Sequence, residues 1–105
     1  MKKISENALA VTKAELIDTR LTEGAVLAFL RSPDAKLVDL AVGMANLTWK
    51  EELAITHCGR RDETQDVAAE RTGYSVDTVQ RWYRAGITKL REAWDGVWWI
   101  RKLTN

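Results

Sequence analysis

Residues 65–86 read QDVAAERTGYSVDTVQRWYRAG, and the spacing of three small or branched residues within them decides the fold. Ala69, Gly73 and Val79 form the pattern Ala-x-x-x-Gly-x-x-x-x-x-Val. A small residue is needed where two helices cross closely, and Ala69 supplies it, with Ala68 at the neighbouring buried position. The connection needs a left-handed backbone, which Gly73 adopts at little cost. Val79 then packs the second helix back on the first, with Tyr74 and Trp82 at the remaining apolar positions and the polar Thr72 ending the first helix. Two short helices joined in this way make a helix-turn-helix, whose second helix can enter the major groove of DNA.

Outward from this stretch, helix signals follow one another with punctuation between them. Apolar residues recur at helical spacing from Ser5 to Ile17 and from Thr22 to Leu30, the latter beginning at Thr22-Glu23. Ser32-Pro33-Asp34 is a break, with Ser32 expected as the cap and Pro33 in the first turn of a helix reaching Ala45. Thr48-Trp49-Lys50-Glu51 has the Thr-x-x-Glu form of a capping box and should start a helix running to His57. Residues 58–62 read as a loop, Thr64 to Thr72 as a short helix closed by Gly73, and Ser75 as the cap of the last helix. Val79, Tyr83, Ile87, Leu90, Trp94 and Val97 form its apolar stripe, so this helix is expected to be long and to pass Gly96. The expected fold is all-α, with about five helices, a C-terminal helix-turn-helix and a long last helix. The length of 105 residues suits a single helical domain over 1–105.

Composition agrees with a folded, helical chain: hydrophobic residues make up 46% and charged residues 30%, with a single proline. A net charge of +1 means that any binding of nucleic acid must come from a local concentration of cations. From Arg81 onward, Arg81, Arg84, Lys89, Arg91, Arg101 and Lys102 face only Glu92 and Asp95. One cysteine excludes an internal disulfide and a multi-cysteine zinc site, which suits a reducing compartment. Met1-Lys2-Lys3-Ile4 runs into polar residues, which argues against a signal peptide or membrane span, and a cytoplasmic location is expected.

Leu47 to Trp94 resembles region four of bacterial sigma factors and the related phage late-gene activators of the RinA and ArpU kind. Residues 64–70 (TQDVAAE) are similar to the first helix of that motif and residues 74–82 (YSVDTVQRW) to its turn and reading helix. Residues 87–91 (ITKLR) resemble the family's terminal Ala-Leu-x-Lys-Leu-Arg run. Nothing resembles a region two, and Thr78 stands where promoter-reading members carry an arginine. The resemblance implies a DNA-binding regulator of transcription, of bacterial or phage origin, with RNA polymerase as a partner.

At 100° per residue, Asp77, Arg81, Arg84 and Thr88 lie opposite Val79, Tyr83 and Leu90, with Thr78 and Gln80 on the flanks. Arginine and glutamine present paired groups that match guanine and adenine edges, so Asp77, Gln80, Arg81 and Arg84 are the expected base readers. Arg60, Arg61, Ser75, Thr78 and Lys89 are the expected phosphate contacts. Plainer readings stand beside these: an i,i+4 surface pair for Asp77 and Arg81, and a solvated loop for Arg60-Arg61. Trp94 and Trp98 belong to the core in the plainer reading, while Trp98, Trp99 and Ile100 exceed what one helix stripe covers and are expected to form a partner surface. His57 and Cys58 point about 100° apart on a helix and have no third ligand in sequence, so neither metal, cofactor nor catalysis is expected. The expected function is sequence-specific binding of double-stranded DNA by a transcriptional regulator, with a homodimer as a further partner state and no membrane. Two other readings stay open: a small phage DNA-packaging adaptor working as a ring, and a protein–protein interaction module.

Overall fold

A computed structural model describes residues 21–97 together with Trp99 and Ile100. The helix expected over 5–17, the basic residues Arg101 and Lys102, and Trp98 lie outside the described residues. The fold is all-α, without strands among the described residues. Among the described residues five helices follow in order: α1 Glu23–Leu30, α2 Ala35–Gly43, α3 Trp49–Ala54 continuing as a wider π-helical segment Ile55–Arg60, α4 Gln65–Thr72 and α5 Val76–Trp94. No helix among the described residues is long and apolar enough to cross a membrane.

Each start is set by a side chain that accepts an otherwise unpaired backbone N–H. Thr22 accepts from Ala25, Thr64 from Val67 and Ser75 from Thr78. Thr48 and Glu51 form the full reciprocal box at the head of α3, Thr48 Oγ1 accepting from the Glu51 N–H at 3.2 Å and Glu51 Oε1 from the Thr48 N–H at 2.8 Å. The start of α2 differs from expectation. Asp34, not Ser32, is the cap, its Oδ1 accepting from the Leu37 N–H at 3.1 Å, while Ser32 Oγ accepts from the Asp34 N–H and Pro33 precedes the helix. A carboxylate three residues before a free N–H outcompetes a hydroxyl five residues before it. The same helix ends at Gly43, two residues short of Ala45.

The loop expected over 58–62 is instead largely helical. Cys58 and Gly59 are buried in the π-helical segment, where a β-carbon at Gly59 would come within 3.0 Å of Leu30 Cδ1. Arg31 Nε donates to the Gly59 carbonyl at 2.9 Å, supplying from just past the end of α1 a partner for the widened turn. Only at Asp62, with φ of 56°, does the chain turn left-handed and leave the helix.

One continuous core joins all five helices: Val26, Phe29 and Leu30 from α1, Val38 and Ala41 from α2, Ala54 and Ile55 from α3, Ala68 and Ala69 from α4, and the α5 stripe. That stripe, Val79, Tyr83, Ile87, Leu90 and Trp94, is buried throughout. Trp94 has no exposed surface, meets Phe29 edge-on at 5.0 Å between ring centres, and donates its Nε1–H to the Ala41 carbonyl at 2.8 Å. Tyr83 donates its hydroxyl to Glu23 Oε2 at 3.3 Å, and burial followed by the Glu23 charge pushes its pKa up to about 12.

α5 stops at Trp94 and does not pass Gly96. Asp95 is already extended, and Gly96 takes a φ of 91°, turning the chain back toward α1. Trp99 then lies half-buried with its ring 6.2 Å from Phe29, and Ile100 is fully buried. The partner surface expected at these positions is therefore corrected. Ile100 is part of the core and Trp99 packs on it, because the chain reverses at Gly96 where a continued helix would have carried both outward.

Candidate nucleic-acid interface

The turn between α4 and α5 follows from three residues. Gly73 closes α4 with φ 81° and ψ 8°, its N–H donating to the Ala69 carbonyl at 2.9 Å. Thr72, half-buried, donates its hydroxyl to the Ala68 carbonyl at 2.7 Å, so this polar residue seals the last turn of its own helix. Ser75 then caps α5. A β-carbon at Gly73 would meet nothing within 4 Å, so a substitution there acts through backbone conformation alone. Gly73→Val is expected to cost about 1–2 kcal/mol, the penalty of the left-handed backbone for a branched side chain, while Gly73→Asn costs less. Thermal melts of the two variants check this; equal melting temperatures for Gly73→Val and wild type would remove the turn's dependence on glycine.

α4 is held against the rest from the other end. His57 Nδ1 lies 2.9 Å from Glu63 Oε1, and Arg71 lies 3.7 Å from Glu63 Oε2. The His57 hydrogen bond, aided by Arg71, holds the Glu63 carboxyl below its ordinary value despite burial. Ionised, Glu63 only accepts, so Nδ1 carries the hydrogen. This link joins the end of α3 to both ends of α4. His57 and Cys58 therefore sit apart in role: one orients α4, and the other is buried, with its thiol pKa raised by that burial and then by the Glu63 charge. No group of three or more potential metal ligands occurs among the described residues.

Asp77, Arg81, Arg84 and Thr88 are all exposed, on the face opposite Val79, Tyr83 and Leu90, and Gln80 and Thr78 are half-buried on its flanks. Asp77 and Arg81, although four apart, form no ion pair. Ser75 Oγ both accepts the Thr78 N–H at 3.2 Å and donates its proton to Thr78 Oγ1 at 2.8 Å. The Ser75 proton is thus used within the cap, whereas Thr78 keeps a hydroxyl hydrogen to give to an outside acceptor.

Ion pairs sort the remaining cations. Arg60, expected in a loop as a phosphate contact, lies in the π-helical segment and is paired with Asp39 at 2.7 Å. Lys89, also expected to meet phosphate, is bonded to Glu51 Oε1 at 2.7 Å, beneath the start of α3. Burial would raise the Glu51 carboxyl, but the bonds from Lys89 and Thr48 outweigh it and hold it below its ordinary value. In both cases folding brings to the cation a partner far away in sequence, and Arg60 is corrected from a loop to a helical position. Arg31 pairs with Asp62 and Arg71 with Glu63. Arg61, Arg81, Arg84 and Lys50 are exposed and make no ion pair with another described residue.

Ala69 and Val79 are buried as expected, and Ala68, with no exposed surface, lies deeper than Ala69. Trp82 packs against the core from its edge, as a packing residue should. Half-buried, it stands between Trp49, whose ring centre is 5.9 Å away, and Tyr74, at 4.8 Å, both of them exposed. Gly86 is the packing residue that sequence reading passed over: a β-carbon there would come within 2.6 Å of Ile55 Cγ1, so α5 crosses α3 by direct approach of its backbone. Its signal was present, since an isolated glycine inside a strongly periodic helix is costly unless packing requires it.

Compared with protein-family models, curated proteins and solved structures, the chain has no match.

Proposed function

We propose that this protein is a sequence-specific DNA-binding regulator of transcription that acts by binding and not by chemistry. The observation that carries the proposal is the outward face of α5, delivered by the left-handed turn at Gly73, on which Arg81 and Arg84 are exposed and free of ion pairs among the described residues. Arg81 and Arg84 each offer a fork of donors suited to guanine O6 and N7, Gln80 matches adenine N6 and N7, and Asp77 accepts from the cytosine amino group. Thr78 and Arg61 supply donors for phosphates. The resemblance of residues 47–94 to sigma region four makes the control of transcription in a bacterium or phage the fitting process, with RNA polymerase and a second copy of the chain as further partners.

Selection from a random DNA pool, followed by titration of the selected site and a scrambled duplex, tests the reading. Arg81→Ala is expected to weaken the selected site by about 1–3 kcal/mol and the scrambled duplex far less, because the bidentate contact forms with the correct base and not with a wrong one. An unchanged ratio of specific to non-specific affinity removes Arg81 from the base-reading set. Ring-sized particles in light scattering would instead favour a packaging adaptor, and the absence of salt-sensitive DNA binding a protein-interaction module.

A further inference from the structure

We infer that Trp49, Lys50, Tyr74 and Trp82 form a docking surface for the sugar–phosphate backbone of duplex DNA, beside the reading face of α5; the inference rests on the DNA-binding reading above. The four residues come from the head of α3, the turn before α5 and the second turn of α5. Trp49 is 61% exposed and Tyr74 39%, too much for residues serving only the core. Both rings meet Trp82 edge-on, at 64° and 68° between planes, which fixes their orientation without covering them. Lys50 Nζ sits 5.7 Å from the centre of the Trp49 ring and 5.6 Å from that of Trp82, so two indole faces hold its ammonium in place.

The polar groups of this surface are almost all donors. Lys50 carries three N–H groups, Trp49 and Trp82 one indole N–H each, and Tyr74 an O–H. None of these donors is hydrogen-bonded or ion-paired to another described residue. An occupant must therefore be rich in acceptors and negatively charged, and it must also offer apolar surface to the ring edges. A phosphate with its flanking deoxyriboses meets all three demands. Position points to the same occupant: Trp82 follows Gln80 and Arg81 directly, so a duplex entered by α5 brings the ridge bordering its groove toward this cluster. An apolar protein face would instead bury the Lys50 charge without a partner.

Anisotropy titrations of the full chain against the selected duplex, a scrambled duplex and a single-stranded oligonucleotide, from about 50 to about 200 mM salt, test the inference, with sedimentation alongside. Lys50→Ala is expected to weaken both duplexes by equal factors and to reduce the magnitude of the salt slope by about 0.9, so that the affinity lost across this range shrinks by about 3.5-fold. Trp49→Ser should also weaken both duplexes equally, with circular dichroism unchanged because the side chain is exposed. If neither variant alters duplex affinity or salt slope while Arg81→Ala still changes specificity, the inference is overturned and the DNA-binding function stands. Tighter binding of the single strand that Trp49→Ser abolishes would make the cluster a base-stacking platform and overturn it. Self-association lost in Trp49→Ser would overturn it in favour of a contact between copies. If wild type binds no duplex at low salt, both the inference and the proposed function fall.

Discussion

Replacing Gly86 by valine is expected to lower the melting temperature by roughly 10 °C or more. A β-carbon at this position would lie 2.6 Å from Ile55 Cγ1, 3.0 Å from Ile55 Cδ1 and 3.5 Å from the Glu51 carbonyl oxygen. Ile55 is 1% exposed and Cγ1 is not the free end of its side chain, so the contact is relieved only by moving the helices apart. Overpacking of this kind costs about 1–3 kcal/mol, and more where a branched side chain adds further atoms. At about 4 °C or more per kcal/mol for a chain of this size, the shift follows. Gly86→Ala should lose less, because alanine regains about 1 kcal/mol of helix propensity over glycine. A double-mutant cycle with Ile55→Ala identifies the cause: if the clash is with Ile55, the two substitutions together should cost less than the sum of each alone. A wild-type melting temperature for Gly86→Val would mean that α3 and α5 do not cross at this point.

Trp94→Ala is expected to be the most damaging single truncation, at about 3–5 kcal/mol. The side chain has no exposed surface, contacts Phe29 of α1, and through its Nε1–H is the bond that ties α5 to the Ala41 carbonyl of α2. Trp94→Phe keeps an aromatic ring and removes only the indole donor, since the Ala41 carbonyl still accepts the Met44 N–H at 3.2 Å; the loss of one hydrogen bond costs about 0.5–1.5 kcal/mol, so the gap between the two variants separates packing from hydrogen bonding. Denaturant melts give both values. Native-state hydrogen exchange should show the amides of α2 losing protection before those of α4, since α4 is held separately through Glu63. Equal protection losses in α2 and α4 would show that Trp94 supports the whole fold and not the docking of α2.

The outward face of α5 could be placed from sequence because it depends on one periodicity. Once Val79, Tyr83 and Leu90 are assigned to the core, 100° per residue puts Asp77, Arg81, Arg84 and Thr88 outside, and they are exposed. The aromatic cluster was not accessible in the same way. Trp49 and Trp82 are 33 positions apart by their numbering, and nothing local to either indicates that their rings meet. The tryptophan-rich tail misled for a related reason: treating it as a continued helix sent Trp99 and Ile100 outward, and the reversal at Gly96 brought them in.

What the sequence by itself determined lies within about four residues along the chain, although the equally local cap at Asp34 and turn at Gly96 were not legible in it. Thr22, Thr48, Thr64 and Ser75 cap helices because each presents an oxygen to an N–H three residues on, and Gly73 ends α4 because it lacks a β-carbon. The burial of the α5 stripe follows from spacing alone. Only the tertiary structure decided which cations are left for a partner. Asp39 lies 21 residues from Arg60 and Glu51 lies 38 residues from Lys89, and these distant carboxylates engage one arginine and one lysine that looked as available as Arg81 and Arg84. The π-helical residues 55–60 likewise meet distant partners, Leu30 at the end of α1 and Arg31 just past it, both at Gly59. Local hydrogen bonds and periodicity act over a fixed number of residues and are written in order along the chain; ion pairs and close backbone approaches depend on which surfaces meet, and that exists only once the helices have packed.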